Sequence, residues 1–212
     1  MGEHHGLRVQ YGCGQSAPAG WSNFDSSMRL RIERIPLVGR VIPAGPFGRF
    51  PSHVSYGDIV KGLPLPPGSV SLLYCSHVLE HLSLTDFRTA LQNSRRVLKA
   101  GGVFRLVMPD LQPLMERYVS SNAPDAAVTF MLWTGLGRKE RRGGLLSGMI
   151  DSLRNSQHLW LWDYRATADE LAKAGFRDIR RAQFGDSGIE AFNAVENQGR
   201  WDNALGIQCM AD

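Results

Sequence analysis

Hydrophobic and polar positions along this chain follow two periods in turn. Leu7-Arg-Val-Gln-Tyr11 is short, partly apolar and stopped by glycine, which predicts a first strand. Trp21-Ser-Asn-Phe24 predicts a second, ending at Asp25, and Val54 to Tyr56 a third. Val70 to Cys75 and Val103 to Met108 are apolar runs suited to buried strands, and Ile179 to Phe184 and Ala204 to Met210 make two closing strands. Helical spacing separates the later runs. Phe87, Ala90, Leu91, Ser94, Val97 and Leu98 predict a helix over Thr85 to Leu98, with Thr85 and Asp86 at its cap and Gly101-Gly102 at its stop. Further helices are expected over His77 to Leu82, Leu111 to Ser121 and Asp163 to Ala174. Such an alternation predicts an α/β fold: a Rossmann-like, doubly wound, mainly parallel seven-stranded sheet with helices on both faces.

Two stretches fall outside this rhythm. Residues 26–53 are rich in Arg, Pro and Gly and are broken at Pro36, Pro43, Pro46 and Pro51, so an irregular insertion is expected there after a short helix near Met28 to Arg34. Between the fifth strand and His158 the chain is part apolar (Val128-Thr-Phe-Met-Leu-Trp133) and part basic and Gly-rich. An insertion over 111–158 can be a lid over a site or a structural helical hairpin.

Composition narrows the class. With 212 residues, 43% of them hydrophobic and 21% charged, the chain fits one soluble domain spanning 1–212. No apolar run is long enough to span a bilayer, and the N-terminus lacks a signal-peptide pattern, so a cytoplasmic location is expected. Three unpaired cysteines, Cys13, Cys75 and Cys209, argue against a disulfide framework or a zinc site. The net charge of +4 is spread along the chain except at Arg138-Lys-Glu-Arg-Arg142. No basic stripe interleaved with aromatics appears, which argues against nucleic acid as a partner.

Polar residues stand at the ends of successive strands: Gly12-Cys13-Gly14 after the first, Asp25 after the second, Asp58 after the third, Ser76-His77 after the fourth and Asp110 after the fifth. Ligands of open α/β sheets bind at those ends. The combination Asp58, Leu63-Pro-Leu-Pro and Ser76-His-Val-Leu-Glu80-His81, followed by Leu98-Lys-Ala-Gly-Gly102, resembles the class I S-adenosylmethionine-dependent methyltransferases. It is most similar to the methyltransferase-type-11 group, often found in sugar and surface-polysaccharide pathways. The resemblance runs from about Leu7 to Asp110 and returns at Glu170-Leu-Ala-Lys-Ala-Gly-Phe-Arg-Asp-Ile179.

That resemblance implies S-adenosylmethionine as cofactor and methyl transfer, with an oxygen of a small-molecule or glycan acceptor as the expected target. Gly12, Cys13 and Gly14 would approach the methionine carboxylate, and Asp25 would accept from the ribose hydroxyls. Asp58 would accept from the adenine amino group with Ile59 beside the ring. Ser76 and His77 would lie against the methionine portion and the reacting methyl. His77 is either a general base, its imidazole titrating near neutrality, or a plain cofactor contact. Asp110, His158, Trp160, Asp163 and Tyr164 are candidates for the acceptor pocket. A non-catalytic, cofactor-binding relative acting as a partner or regulatory subunit is the alternative.

Departures and rivals have residue-level signatures. The family's acidic residue in the first strand is Gln10 here, and too little chain lies between Gly14 and Trp21 for a full crossover helix. Gly12-Cys-Gly14-Gln-Ser-Ala17 also fits the dinucleotide pattern G-x-G-x-x-A, but Pro18 and Gly20 would break the helix that pattern must open. His77, Glu80 and His81 have helical metal-ligand spacing; no fourth partner can be named, and no metal is expected. Acceptor identity and oligomeric state are not encoded in any motif of the chain.

Overall fold

The computed structural model describes residues 6–41, 43, 48–137 and 157–212, without the side chains of Val38 and Arg40. The basic run Arg138 to Arg142 lies outside the described residues. Seven strands form one sheet: β1 (Leu7–Tyr11), β2 (Ser22–Asp25), β3 (Ser55–Tyr56), β4 (Val70–Ser76), β5 (Leu98–Pro109), β6 (Phe176–Ala182) and β7 (Ala204–Ala211). Their order is β3-β2-β1-β4-β5-β7-β6. β7 runs antiparallel to both neighbours and every other pairing is parallel, so the sheet is mixed. The order reverses between β1 and β4, which puts a ligand crevice beyond Tyr11 and Ser76.

Helices α1 (Met28–Glu33) and α2 (Val38–Val41) follow β2. α3 (Leu84–Val97) joins β4 to β5, α4 (Leu111–Val119) and α5 (Ala126–Trp133) follow β5, and α6 (Tyr164–Lys173) leads into β6. α3 starts where Ser83 accepts the N–H of Asp86, two residues before the expected cap. It ends without glycine, because Leu98 turns extended, buries its side chain and pairs with Val70. Gly101, at φ +71, instead sits in the irregular register inside β5.

β4 is buried at every position, and its alternation divides two cores. Leu73 and Cys75 join Phe104, Leu106 and Met108 beneath Phe87, Leu91 and Leu171 of α3 and α6. Leu72 and Tyr74 join Val103 and Val107 on the opposite side, under Phe192, Val195 and Trp201. That second cover comes from the β6–β7 connection and holds two 3-10 turns, Glu190–Ala194 and Gln198–Arg200. Over β4 and β5, the second cover is thus built from short 3-10 turns rather than α-helices.

The expected helix over His77 to Leu82 is also shorter than its sequence suggests. Only Leu79–His81 form a 3-10 turn, because His77 is left-handed at φ +53 and gives its N–H to the Val107 carbonyl. Within the insertion after β5, α4 and α5 pack as a pair through Tyr118 and Phe130, whose rings are 5.2 Å apart. No described helix is long and apolar enough to cross a membrane.

Candidate functional site

The chain passes from β1 to its parallel neighbour β2 through residues 12–21 without a helix. Two buried amides make this short passage possible. Gln10 Nε2 donates to the Ser16 carbonyl and to Asn23 Oδ1, both at 2.5 Å, and Asn23 Nδ2 donates to the carbonyls of Trp21 and Pro18. Gln10 thus braces the loop through its amide rather than through a charge.

Within the loop, Gly12 (φ +63) and Gly14 (φ +54) are both left-handed. A Cβ on Gly12 would lie 2.1 Å from Val78 Cγ2, so this glycine lets the end of β1 close against the end of β4. A Cβ on Gly14 would meet nothing within 4 Å, so space lies open beside this glycine. Cys13 is buried; burial, reinforced by the Asp25 carboxylate, pushes its thiol up to about 12. It stays protonated near neutrality.

Asp25 ends β2 almost fully buried. Its Oδ2 accepts the Gly14 N–H at 2.9 Å and its Oδ1 accepts the Ser27 N–H at 2.8 Å. It therefore ties the glycine loop to the start of α1. The Asp25 carbonyl accepts from Gly57, which sets Asp58 just beyond β3. Asp58 Oδ1 accepts from Val60 N at 3.0 Å, and Oδ2 lies 3.5 Å from Lys61 Nζ. Ile59 is buried in the main core beside Phe24 and Leu63.

At the end of β4, Ser76 is held by a residue with no motif around it. Arg200 donates from Nε to Ser76 Oγ at 2.9 Å and from its terminal nitrogen to the Ser76 carbonyl at 2.5 Å. The Arg200 carbonyl accepts from His77 Nε2 at 2.9 Å, and His77 Nδ1 faces Glu80 Oε1 at 3.1 Å. Both imidazole nitrogens are engaged. A left-handed non-glycine residue at such a place costs free energy and points to a constraint there. Arg200 escaped sequence reading because it lies in a 3-10 turn far along the chain; only the fold brings it here.

The acceptor candidates divide. Asp110 caps α4 through Gln112 N, and its Oδ2 accepts from Arg181 at 2.9 Å. Asp163 caps α6, and the Tyr164 hydroxyl donates to the Ile179 carbonyl. Both line a cleft of about 440 Å³ with Leu111, Gln112, Met115 and Arg181, away from the glycine loop. Trp160 is exposed, whereas Trp162 is buried and stacks on Phe87 at 3.9 Å. His158 lies beside Glu80 and His81.

Residues 45–106, covering β3, β4, α3 and most of β5, match the family model described as a methyltransferase domain. The match leaves out Gly12 to Asp25, where the short β1–β2 passage lies. No curated protein gives a significant match to the chain. Among solved structures, the chain is similar to one from the Haloferax volcanii complex of the Trm112 methyltransferase activator, at 15% identity and TM-score 0.51, covering 97% of this chain and 82% of that one. A SAM-dependent methyltransferase from Thermotoga maritima is similar at 15% identity and TM-score 0.49, covering 98% and 83%. Another, from Archaeoglobus fulgidus, is similar at 14% identity and TM-score 0.49, covering 98% and 87%. The chain therefore has the fold of methyltransferase structures, and its segment from 45 to 106 is methyltransferase-like in sequence.

Proposed function

We propose that this protein binds S-adenosylmethionine along the carboxyl ends of β1 to β4 and transfers its methyl group to an oxygen of a small-molecule or glycan acceptor. The observation that carries this reading is the left-handed Gly12–Gly14 loop at the topological switch point, open at Gly14 and facing Ser76-His77 across the β1–β4 junction. Glycines without side chains let the methionine carboxylate approach the backbone of such a loop closely, while the Gly14 N–H itself is held by Asp25. Asp58 is available to the adenine amino group, and Asp25 holds the loop in the required shape while bordering the ribose.

His77 stands where the methyl would be delivered. As a base it needs its lone pair on Nε2, so the ring must carry its proton on Nδ1, donated to Glu80, and an acceptor hydroxyl must replace the Arg200 carbonyl beside Nε2. Arg200 then serves as a positioning residue that sets the end of β4 until the acceptor enters. Most of the acceleration comes from holding acceptor oxygen and sulfonium methyl in line.

Calorimetric titration tests the reading. S-adenosylmethionine and its demethylated product should bind and NAD should not, and Asp58→Ala should weaken cofactor binding by roughly 1.5–3 kcal/mol in a folded protein. Binding of NAD alone would refute it. Cofactor binding without turnover on any sugar or phenolic acceptor would instead favour a non-catalytic partner subunit.

A further inference from the structure

Three residues beyond His77, Glu80 is 1% exposed. Its Oε1 is met by His77, but its Oε2 is buried with no hydrogen-bond partner among the described residues. A buried carboxylate oxygen left unpaired is costly, so the group calls for a cation or donor. Two histidines flank it, His81 and His158, with ring centroids 5.0 Å apart. His81 Nδ1 donates to the Gln157 carbonyl at 3.0 Å, and His158 Nδ1 donates to the Thr134 carbonyl at 2.7 Å. A carbonyl only accepts, so each ring carries its proton on Nδ1 and keeps its lone pair on Nε2. Proteins orient metal-binding histidines in this way.

The rest of the setting is built rather than loose. The Glu80 carbonyl accepts from both Leu159 N (2.8 Å) and Trp160 N (3.1 Å), which clamps the segment carrying His158 onto the turn carrying Glu80 and His81. One ligand-capable atom from each of the three residues lies within 4.8 Å of the others, with His158 Nε2 4.0 Å from Glu80 Oε1. That nitrogen lone pair and the carboxylate are both acceptors. With the ring proton on Nδ1, the two do not hydrogen-bond to each other directly.

We propose that Glu80, His81 and His158 form a binding site for a divalent transition-metal ion of the zinc class. Two imidazoles and one carboxylate are a donor set such ions take, and three protein ligands leave a fourth position for water or a substrate oxygen. Bonds of about 2.0–2.2 Å put tetrahedral ligand atoms about 3.3–3.6 Å apart, so the ion draws the three groups together by side-chain rotation. His81 and His158 are only partly buried, which gives the ion a way in. Sequence spacing named only His77, Glu80 and His81, whereas His158 joins Glu80 and His81 only in the fold. The inference does not rest on the methyl-transfer reading, since metal binding is measured by itself.

The experiment uses full-length protein carrying His4→Ala and His5→Ala, so that the N-terminal histidines contribute nothing. After chelator treatment and dialysis, Zn²⁺ is titrated in competition with a chromophoric chelator, and Co²⁺ is added in a parallel sample. One ion per chain and the intense visible bands of tetrahedral Co²⁺ are expected. Glu80→Gln and His158→Ala should each weaken Zn²⁺ binding by at least about tenfold while the circular dichroism spectrum is retained. If either variant fails to fold, the Co²⁺ spectrum of the parent protein decides. Absence of tetrahedral bands, no stoichiometric Zn²⁺, or binding untouched by folded variants would overturn the proposal.

Discussion

On one face of the sheet Phe87, Leu91 and Leu171 descend from α3 and α6 onto Leu73, Phe104 and Leu106. On the other, Phe192, Val195 and Trp201 descend from 3-10 turns, and among them lies Arg105 with a side chain 0% exposed. The first face is closed by apolar contact and helix periodicity. The second encloses a charge. Arg105 donates to Glu196, whose side chain is 1% exposed, and to Gln208 and the Gln183 carbonyl, while Asp186 lies at 2.9 Å and the Trp201 ring at 4.5 Å. An apolar layer tolerates small shifts of its cover, whereas a buried ion pair depends on each partner staying in place. The network thus fixes where the β6–β7 connection sits, and that connection carries Arg200 to Ser76 and His77. The face with less regular structure is the one that completes the candidate site.

The largest expected effect tests that contrast. Arg105→Ala should destabilise the fold by about 3–5 kcal/mol, because it leaves Glu196 charged and buried with the Gly185 N–H but no cation beside it. Replacing both partners by apolar residues, Arg105→Met with Glu196→Leu, should cost less than the single change; urea denaturation followed by circular dichroism reads both. A double variant no better than the single would show that packing, not charge, governs this face.

Leu91→Ala, on the helix-covered face, should cost about 2–5 kcal/mol by cavity formation. Unlike Arg105→Ala, it should leave cofactor affinity unchanged once the protein is folded. Loss of cofactor binding in folded Leu91→Ala would remove the distinction between the two faces.

Arg200→Ala removes two hydrogen bonds from a residue partly open to solvent, so stability should fall by only about 1 kcal/mol. Its effect should appear instead as a changed response of His77, read from the imidazole proton resonances. Unchanged resonances would separate the β6–β7 connection from the site.

The smallest effect belongs to the surface. Arg88 meets Glu170 through two hydrogen bonds, and these hold the Glu170 carboxyl below its ordinary value. A depressed folded-state value means the pair stabilises the fold above the usual carboxylate range and loses that contribution as pH falls through it. Because Arg88 is half exposed, solvent screens most of it. Arg88→Ala should lower the urea midpoint slightly near neutrality and not at all in strong acid. A large shift at neutral pH would show that this link between α3 and α6 escapes solvent screening.

What the sequence determined by itself is the part that depends on local periodicity. Leu7–Tyr11, Val70–Ser76 and Tyr164–Lys173 could be read within a residue or so, because a buried strand must be apolar and an amphipathic helix must repeat. The strand-end residues Gly12, Gly14, Asp25, Asp58 and Ser76 were legible for the same reason: strands stop where polar groups or glycine begin. Their detailed engagements were not, since Asp25 meets Gly14 and Ser27 only after β1 and β2 pair. Tertiary structure decided three further things. It replaced a helix after His77 by a left-handed residue and one 3-10 turn, because the end of β4 must pair with Val107 before the chain can turn. It brought Arg200 to Ser76 and His158 to Glu80 across long separations in sequence. And it buried Arg105 where strand alternation predicts an apolar side chain, because Glu196, Gln208 and Gln183 meet it there and hydrogen bonds can compensate a charge that local sequence leaves unpaired.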